Sequence, residues 1–424
     1  RSNTASNGGG VYLSSGGELG INAQFRENSA TGDGGGIWAT VDCEIYLNSS
    51  NNFRGLLSGN TAARGGGMFV AGEQWLVEFN GTQVDSDNDL VFWGNGENSI
   101  LKIGRGGAFE STISGNIQAT NVNVTMDKGT VRSSSVTLTN AKWLIYGGYC
   151  SISKITTDGQ QKVTLHGGYF DVEPTDPNIQ VGNNSKMLPI SGNAGDPYYD
   201  PAYKEGYSYG VYAVKNDAAS LNQGTITYDS QPVVPGEDFT IIPNGTTLLE
   251  YSCTDAAGSP VSGWPTNAGA YTIRAKCLNA VEKWYAETSF DLTIAKATPA
   301  YTEPTGLTAR LGKPLSDVAL PQGWAWKNGA AVPEQEGTQT FLAVYTPADT
   351  ANYNTVELDL TVQVEHAHVG VPQPEQPATC TEPGVKAYYE CSVCGAPFKD
   401  AACDTPIADL DSWNDIQALG HDWG

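Results

Sequence analysis

Methionine, basic residues and long apolar runs are all scarce in this sequence of 424 residues. It holds 3 Met, and its 23 Lys and Arg stand against 46 Asp and Glu, so the net charge is −23. Nucleic acid is therefore not expected as a partner, because phosphate binding requires clustered Lys and Arg. No apolar run approaches the roughly 20 residues of a membrane-spanning helix, so we expect no membrane span.

Catalytic signatures and cysteines are also sparse. The chain has no Gly-x-Ser-x-Gly, His-Glu-x-x-His or phosphate-binding loop. The one histidine before residue 366 is His166, which lies in a strand-like run and is interpreted as a structural position. Eight cysteines are too few for a disulfide scaffold in a chain of this length, although they allow one or two bridges.

Glycine and aromatic residues are abundant instead. The 50 glycines and the 10% share of aromatic residues favour strands and turns over helices, so we expect an all-β protein. The length fits three or four domains. Because the chain begins within one repeat and stops within another, we expect it to be a piece of a longer polypeptide.

An internal repeat in the first 70 residues is the strongest positive signal. A glycine triplet followed by three apolar residues occurs three times, and the triplets end at Gly10, Gly36 and Gly67. Glycine triplets end helices, but they permit tight bends and close backbone approach. The spacings of 26 and 31 residues are typical of one coil of a solenoid, so the three triplets should stack in line.

Side-chain alternation assigns the faces of the short strand after each triplet. An asparagine recurs at the same point of each coil (Asn3, Asn28 and Asn60), and we expect these side chains to hydrogen-bond along the stack. The residues expected to face the interior are Val11, Leu13, Ile37, Ala39, Met68 and Val70.

These repeats, together with Phe25-Arg26-Glu27-Asn28, resemble the Gly-Gly-aliphatic and Phe-x-x-Asn motifs of polymorphic outer-membrane proteins and related adhesins. Leu57-Ser58-Gly59-Asn60 departs from the second motif by carrying Leu in place of Phe. The resemblance covers about residues 1–70 and implies a right-handed parallel β-helix displayed at the cell surface. Less regular strand-like runs and a capping segment extend this domain to residue 215.

Two small sandwich-like modules are predicted next, over residues 216–296 and 297–365. The first contains Gly263–Tyr271 and Phe290–Ala297, which resemble the MBG-type immunoglobulin-like modules of bacterial surface proteins. Cys253 and Cys277 lie on two of its predicted strands, and we expect a disulfide between them. The second contains phrases that resemble the stalks of Gram-positive surface proteins, at Leu320–Trp326 and Tyr345–Tyr353.

The last segment, residues 366–424, resembles a short Cys- and His-containing repeat of secreted Firmicute proteins. The two thiolates of a Cys-x-x-Cys turn can bind one metal ion, and a further Cys and His would complete the tetrahedral coordination of zinc. The predicted set is His368, Cys380, Cys391 and Cys394, with His366 or His421 able to replace His368. The alternative is two disulfides, with Cys403 as another partner. Either role is structural.

An aromatic stripe is a candidate binding surface. If the alternation holds, Tyr12, Trp38 and Phe69 point outward from three successive coils and form a platform for sugar rings or an aromatic-rich protein. The alternative is that a neighbouring segment covers these rings or that they face inward.

Asp85, Asp87 and Asp89 form a third candidate site. Three alternating carboxylates can chelate Ca²⁺ through hard oxygen ligands. Arg105 lies 20 residues after Asp85, so the two can stack as the base and metal site of a polysaccharide lyase. The alternative is a solvated turn, because Asp and Asn favour turns.

We therefore interpret the chain as a secreted, monomeric adhesin of a Gram-positive bacterial cell surface. Its β-helix would bind a host or environmental protein or glycan without catalysis, and its C-terminal modules would serve as a stalk. Two alternatives stay open: a polysaccharide lyase or hydrolase on the same β-helix, and a purely structural surface stalk.

Overall fold

The computed structural model describes residues 1–40, 42–49, 54–104, 110–414 and 416–420. Nearly all of its regular structure is β-strand, in large parallel sheets followed by antiparallel ones, so the prediction of an all-β protein is confirmed. None of the helices in the described part of the chain is long and apolar enough to cross a membrane. The chain forms two compact units: residues 1–224, 233–265 and 270–292, and residues 225–232, 266–269 and 293–424.

The first unit begins with stacked coils. Their strands, in chain order, are β1 (Thr4–Ala5), β2 (Val11–Leu13), β3 (Glu18–Ile21), β4 (Gln24–Arg26), β5 (Ser29–Ala30), β6 (Ile37–Ala39), β7 (Cys43–Asn48), β8 (Leu56–Ser58), β9 (Met68–Ala71), β10 (Trp75–Asn80), β11 (Gln83–Val84), β12 (Leu90–Ile103), β13 (Thr112–Ile113), β14 (Ile117–Met126), β15 (Thr130–Ser133), β16 (Val136–Thr139), β17 (Lys142–Ile145), β18 (Tyr149–Ile152), β19 (Ile155–Thr157), β20 (Val163–Leu165), β21 (Tyr169–Phe170) and β22 (Ile179–Val181).

Further strands follow along the chain. They are β23 (Ser185–Pro189), β24 (Tyr209–Val214), β25 (Ser220–Gln223), β26 (Ile226–Thr227), β27 (Phe239–Ile242), β28 (Thr246–Asp255), β29 (Pro260–Val261), β30 (Gly269–Asn279), β31 (Trp284–Ala295), β32 (Leu307–Arg310), β33 (Trp324–Trp326), β34 (Gly337–Tyr345), β35 (Val356–Glu365), β36 (Gly370–Gln373), β37 (Tyr388–Cys391) and β38 (Pro397–Phe398). A 3-10 helix spans Leu315–Asp317, and helix α1 spans Leu410–Trp413.

The coils contribute strands to three rows, and each strand pairs in parallel with its equivalent in the next coil. The first row contains β2, β6, β9, β16, β19 and the first halves of β12 and β14. The second contains β3, β7, β10, β17, β20, β22 and the second halves of β12 and β14. The third contains β4, β8, β11, β13, β15, β18 and β21. Adjacent coils are therefore one strand spacing apart, about 4.8 Å.

The glycine triplets lie in line from coil to coil, as predicted. The backbone N–H of Gly10 donates to the carbonyl of Gly36 at 3.0 Å, and the N–H of Ile37 donates to the carbonyl of Gly67 at 3.1 Å. A Cβ on Gly36 would lie 2.4 Å from the carbonyl oxygen of Gly67, and one on Gly10 would lie 2.5 Å from that of Gly36. Glycine is required here because the next coil occupies the space of any side chain.

The interior of the coils is one apolar core that runs from Phe25 to Val211. The alternation predicted after the triplets is confirmed for Ile37, Ala39, Met68 and Val70, which are fully buried in this core. Val11 and Leu13 are half-buried and pack against the same core in the first coil.

The predicted asparagine ladder is present and extends by one residue. The side-chain amide of Asn28 donates to the Oδ1 of Asn60 at 2.9 Å, and that of Asn60 donates to the Oδ1 of Asn88 at 2.8 Å. Asn3 donates to Asn28 at 3.1 Å at the exposed end. Because Asn28, Asn60 and Asn88 are at most 1% exposed, these hydrogen bonds satisfy buried polar groups in each coil.

The last coil continues into the rest of the first unit. β24 pairs antiparallel with β21 and parallel with β31, and the sheet then runs through β30, β28 and β29. A buried carboxylate anchors this region: Asp200 accepts a hydrogen bond from Tyr212 at 2.6 Å and pairs with Lys283 Nζ at 2.6 Å. Burial raises the pKa of Asp200, but the hydrogen bonds from Lys283 and Tyr212 outweigh burial and hold that pKa below its ordinary value.

The predicted disulfide between Cys253 and Cys277 is wrong, because the strand register separates the two residues. β28 and β30 are antiparallel neighbours, but Cys253 lies opposite Ile273 and Cys277 lies opposite Leu248. An offset of four residues along a strand is about 13 Å, whereas the Cα atoms of a disulfide lie about 4.4–6.8 Å apart. Both residues are buried free thiols.

The second unit contains two small sheets. The first has the order β32-β35-β34-β33, and its buried side chains include Leu360, Val362 and Trp324. The second has the order β36-β37-β38 and is antiparallel throughout.

We predict that Asn60→Ala lowers the free energy of unfolding of the first unit by about 3 kcal/mol, because the buried side-chain amide and backbone N–H of Asn28 both lose the Oδ1 of Asn60 as acceptor. Urea unfolding measures the change. Asn3→Ala, at the exposed end of the same ladder, is the matched control and should cost less than about 1 kcal/mol. If the two variants lower the free energy of unfolding by the same amount, then burial of the ladder contributes nothing to stability.

We also predict that Cys253 and Cys277 are both alkylated when the unreduced protein is denatured and treated with iodoacetamide, because the register keeps their sulfur atoms apart. Peptide mass spectrometry measures the outcome, with a reduced sample as the control. Recovery of a linked pair of peptides holding the two residues would contradict this register.

Candidate metal centre and exposed aromatic pair

Two histidines lie at the entry to the β36-β37-β38 sheet. His366 and His368 follow the end of β35 at Glu365 and precede β36. Residues two apart in an extended segment project to the same side. The pairing of Gly370 with Cys391 then places this segment beside the end of β37.

Cys391 and Cys394 are brought together by a tight turn. Cys391 is the last residue of β37, and its carbonyl accepts a hydrogen bond from the N–H of Gly395 at 2.8 Å. Gly395 has a φ of +71°, a conformation that favours glycine, and the N–H of Cys391 donates to the carbonyl of Ala396 at 2.9 Å. The turn therefore points both sulfur atoms toward the two histidines.

The four side chains converge on one point. Nδ1 of His368 lies 3.3 Å from Sγ of Cys391 and 3.6 Å from Sγ of Cys394, and Nε2 of His366 lies 3.7 Å from Sγ of Cys391. Within the described ranges, this is the only group of three or more His, Cys, Asp or Glu side chains whose ligand atoms all lie within 4.8 Å of one another. Two imidazole nitrogens and two sulfurs in this arrangement can hold a metal ion.

The electrostatics of Cys391 favour a thiolate. Loss of solvent raises the pKa of this thiol, but the backbone N–H groups of Cys394 and Val393 and the imidazole of His368 lower it by more, so the pKa falls to about 5. The thiolate is the form of cysteine that binds metal ions.

Apolar side chains support the cluster. Phe398 is 3% exposed, and its ring centroid lies 4.7 Å from that of His368. Cys403 is fully buried in the same core, where desolvation raises the pKa of its thiol. Cys403 therefore contributes to packing as a neutral thiol and is not one of the converging ligands.

The structure brings together three of the four residues predicted for this site. His368, Cys391 and Cys394 converge, but Cys380 is exposed and lies outside the cluster. His366 takes the fourth position, although the sequence pattern had suggested it only as a replacement for His368. The signal in the sequence that could have identified His366 is its two-residue spacing from His368. His421 lies outside the described residues.

The aromatic stripe is only partly exposed. Tyr12 and Trp38 lie opposite each other on adjacent coils, and their rings stack with centroids 4.2 Å apart at an interplanar angle of 15°. Tyr12 is 56% exposed and Trp38 is half-buried.

Phe69 continues the same row but is 3% exposed. The guanidinium of Arg64 lies 4.9 Å from its ring centroid, and Trp93 contacts it edge-on at 5.2 Å. Phe69 therefore does not provide a third exposed ring, because neighbouring side chains pack over it.

The three aspartates of the predicted calcium site have separate partners. Asp85 accepts from the side chain of Gln83 at 2.7 Å, Asp87 from the N–H of Gly59 at 2.9 Å, and Asp89 from the N–H of Asn116 at 3.3 Å. These carboxylates do not form a convergent group among the residues that the structure describes. Arg105, the base suggested for a lyase, lies outside the described residues.

Comparison with known proteins does not assign a family. No family model and no curated protein matches the chain. Among solved structures, it is similar to an endo-fucoidan hydrolase from glycoside hydrolase family 107, with 14% identity and a TM-score of 0.12 over 38% of this chain and 33% of that one. The match thus spans about a third of the hydrolase, and its TM-score is too low to indicate a shared fold or activity.

Proposed function

We propose that this chain is part of an adhesin-like protein of a Gram-positive cell surface, and that it binds a host or environmental glycan or protein without catalysis. In this proposal the coils of the first unit are a right-handed parallel β-helix that carries the binding surface. The observation that carries the proposal is the stack of the exposed Tyr12 ring on the half-buried Trp38 ring.

Stacked rings from adjacent coils suit a binding role for a physical reason. The pair presents apolar ring edges with the polar hydroxyl of Tyr12 beside them, which fits the C–H groups of a sugar or an aromatic side chain of a partner. The core beneath them is filled by Ile37 and Ala39, so the outward residues are not needed to complete it. Exposed aromatic side chains that the core does not require are candidates for an interaction surface.

The second unit fits the role of a spacer. Its sheets are small, each with its own buried residues, as expected for modules that hold a binding unit away from the cell envelope. The net charge of −23 favours solubility and weakens contact with anionic surfaces.

We further propose that His366, His368, Cys391 and Cys394 bind Zn²⁺. A Cys₂His₂ set is a common structural zinc site, and its four protein ligands leave no position open for catalysis. The ion would tie the segment that follows β35 to the turn between β37 and β38. Its role would then be to stabilise a sheet too small to have a large apolar core of its own.

We predict that Trp38→Ala and Tyr12→Ala each weaken binding to the glycan or host protein that the wild-type chain captures by about tenfold, because each removes one ring of the stacked pair. A glycan array and an array of host mucus and serum proteins identify the ligand, and titration then gives the dissociation constants.

The matched control for these variants is Tyr146→Ala. Tyr146 is 50% exposed and stacks on His166 several coils away, so it tests the loss of an exposed ring at another place. Affinity should be unchanged in this variant. The proposal fails if the wild-type chain shows no saturable binding at micromolar concentration, or if Tyr146→Ala and Trp38→Ala have the same effect.

We predict that the chain binds one Zn²⁺, that Cys394→Ser lowers the affinity at least about tenfold, and that Cys380→Ser leaves it unchanged. The reason is that Cys394 is a converging ligand whereas Cys380 is not. Competition with a chromophoric chelator measures affinity, and the absorption of the Co²⁺-substituted protein reports on thiolate ligation. Loss of the metal in Cys380→Ser as well as in Cys394→Ser would favour the ligand set expected from the sequence, which contains both cysteines.

A further inference from the structure

The second row of strands carries a groove of about 560 Å³ on its outer surface. Its floor consists of outward-facing residues from three successive coils, which the strand register places in two columns. The first column is Ile100, Asn123 and Lys142, and the second is Lys102, Thr125 and Leu144.

The walls of the groove come from irregular backbone. On one side, β12 breaks its register between Trp93 and Ile100, and this bulge brings Gly96 and Glu97 to the groove. On another side lie Asn140 and Gln161.

The Asn140 wall is held in place by hydrogen bonds between coils. The side-chain amide of Asn140 donates to the Oδ1 of Asn121 at 2.8 Å, and its N–H donates to the Oδ2 of Asp158 at 2.7 Å. The groove therefore has a preformed wall, which reduces the ordering cost of binding.

The floor of the groove carries two lysines, Lys102 and Lys142, in a chain that is otherwise acidic. Lys142 is exposed, and it has no ion pair among the residues that the structure describes. Lys102 lies 3.1 Å from the buried carboxylate of Glu78. Lys162 precedes the strand of the next coil and donates to Gln180 at 3.3 Å. One carboxylate, that of Glu97, lines the groove itself.

We propose that this groove binds an acidic oligosaccharide that lies along the stack of coils. Lys142 would pair with its carboxylate or sulfate groups, Asn123 and Thr125 would hydrogen-bond with its hydroxyls, and the apolar side chains of Ile100 and Leu144 would contact its C–H faces. This site is on a different row of strands from Tyr12 and Trp38, so it does not rest on the function proposed for that pair.

An acidic peptide is a poorer fit to the same surface. The floor strands β12, β14 and β17 are each paired on both sides, so they offer no free edge to the backbone of an added peptide strand. A peptide would have to bind through side chains alone, whereas an acidic sugar carries hydroxyls and charges on every unit.

The test is calorimetric titration of the full chain at low salt with an oligogalacturonate, a sulfated oligosaccharide of equal length, a neutral oligosaccharide and polyglutamate. We expect saturable binding to at least one of the two acidic oligosaccharides, with the comparison showing whether carboxylate or sulfate is preferred. Binding should weaken as salt is added, because Lys142 is exposed.

Variants distinguish binding at the groove from non-specific electrostatic attraction to the chain. Lys142→Met should weaken binding of the acidic oligosaccharide about tenfold and Lys142→Glu should abolish it, because the first removes and the second reverses the unpaired charge. Lys313→Met changes the net charge by the same amount at an exposed position of the second unit and should leave affinity unchanged. Trp38→Ala should also leave it unchanged, which distinguishes this site from the aromatic pair.

Three outcomes would overturn the proposal: no binding to either acidic oligosaccharide, unaltered binding in Lys142→Glu, or tighter binding of polyglutamate than of both sugars. Lys142 is exposed, so its variants should fold, and an unchanged thermal transition confirms that any loss of affinity arises at the groove.

Discussion

Hydrogen bonding between the backbones of successive coils is the constraint on which the rest of the first unit depends. At the glycine triplets a carbonyl of the next coil lies within 2.5 Å of where a side chain would begin, so residues such as Gly10 and Gly36 allow neither insertion nor substitution without displacement of a coil. This spacing holds Asn28, Asn60 and Asn88 within hydrogen-bonding distance of one another and aligns the inward-facing residues into one core. The same register between coils therefore gives the buried asparagines their hydrogen-bond partners and packs the apolar side chains into a core.

The register also turns single outward residues into columns, and the proposed functions depend on those columns. Tyr12 and Trp38 stack because their strands pair residue for residue, and Asn123 lies between Ile100 and Lys142 for the same reason. Outward side chains can vary while the interior stays filled, so a stack of coils can carry separate binding surfaces on different rows. The second unit works differently, because its small β36-β37-β38 sheet relies on a cluster of His and Cys side chains.

The spacing of residues along the chain predicted three of the four residues of that cluster, and the register between strands decided the fourth. The Cys-x-x-Cys turn is closed by Gly395 within five residues, so its geometry could be predicted from the sequence. The choice of His366 over Cys380 depends on the pairing of β36 with β37, which brings a distant segment next to Cys391. Cys253 and Cys277 are a second case in which the sequence could not predict strand register. Both lie on neighbouring strands as expected, yet the offset between those strands keeps the sulfur atoms apart.

The sequence by itself determined the all-β class, the positions where coils meet through glycine, the asparagine ladder and the inward face of each repeat. These features depend on the period along the chain, which is visible in the order of residues. Only the tertiary structure decided which cysteines and histidines converge, that Phe69 is covered by Arg64 and Trp93, and that three coils form a groove around Lys142. These outcomes depend on the offset between strands far apart in sequence, and that offset is set by packing and backbone pairing over the whole unit.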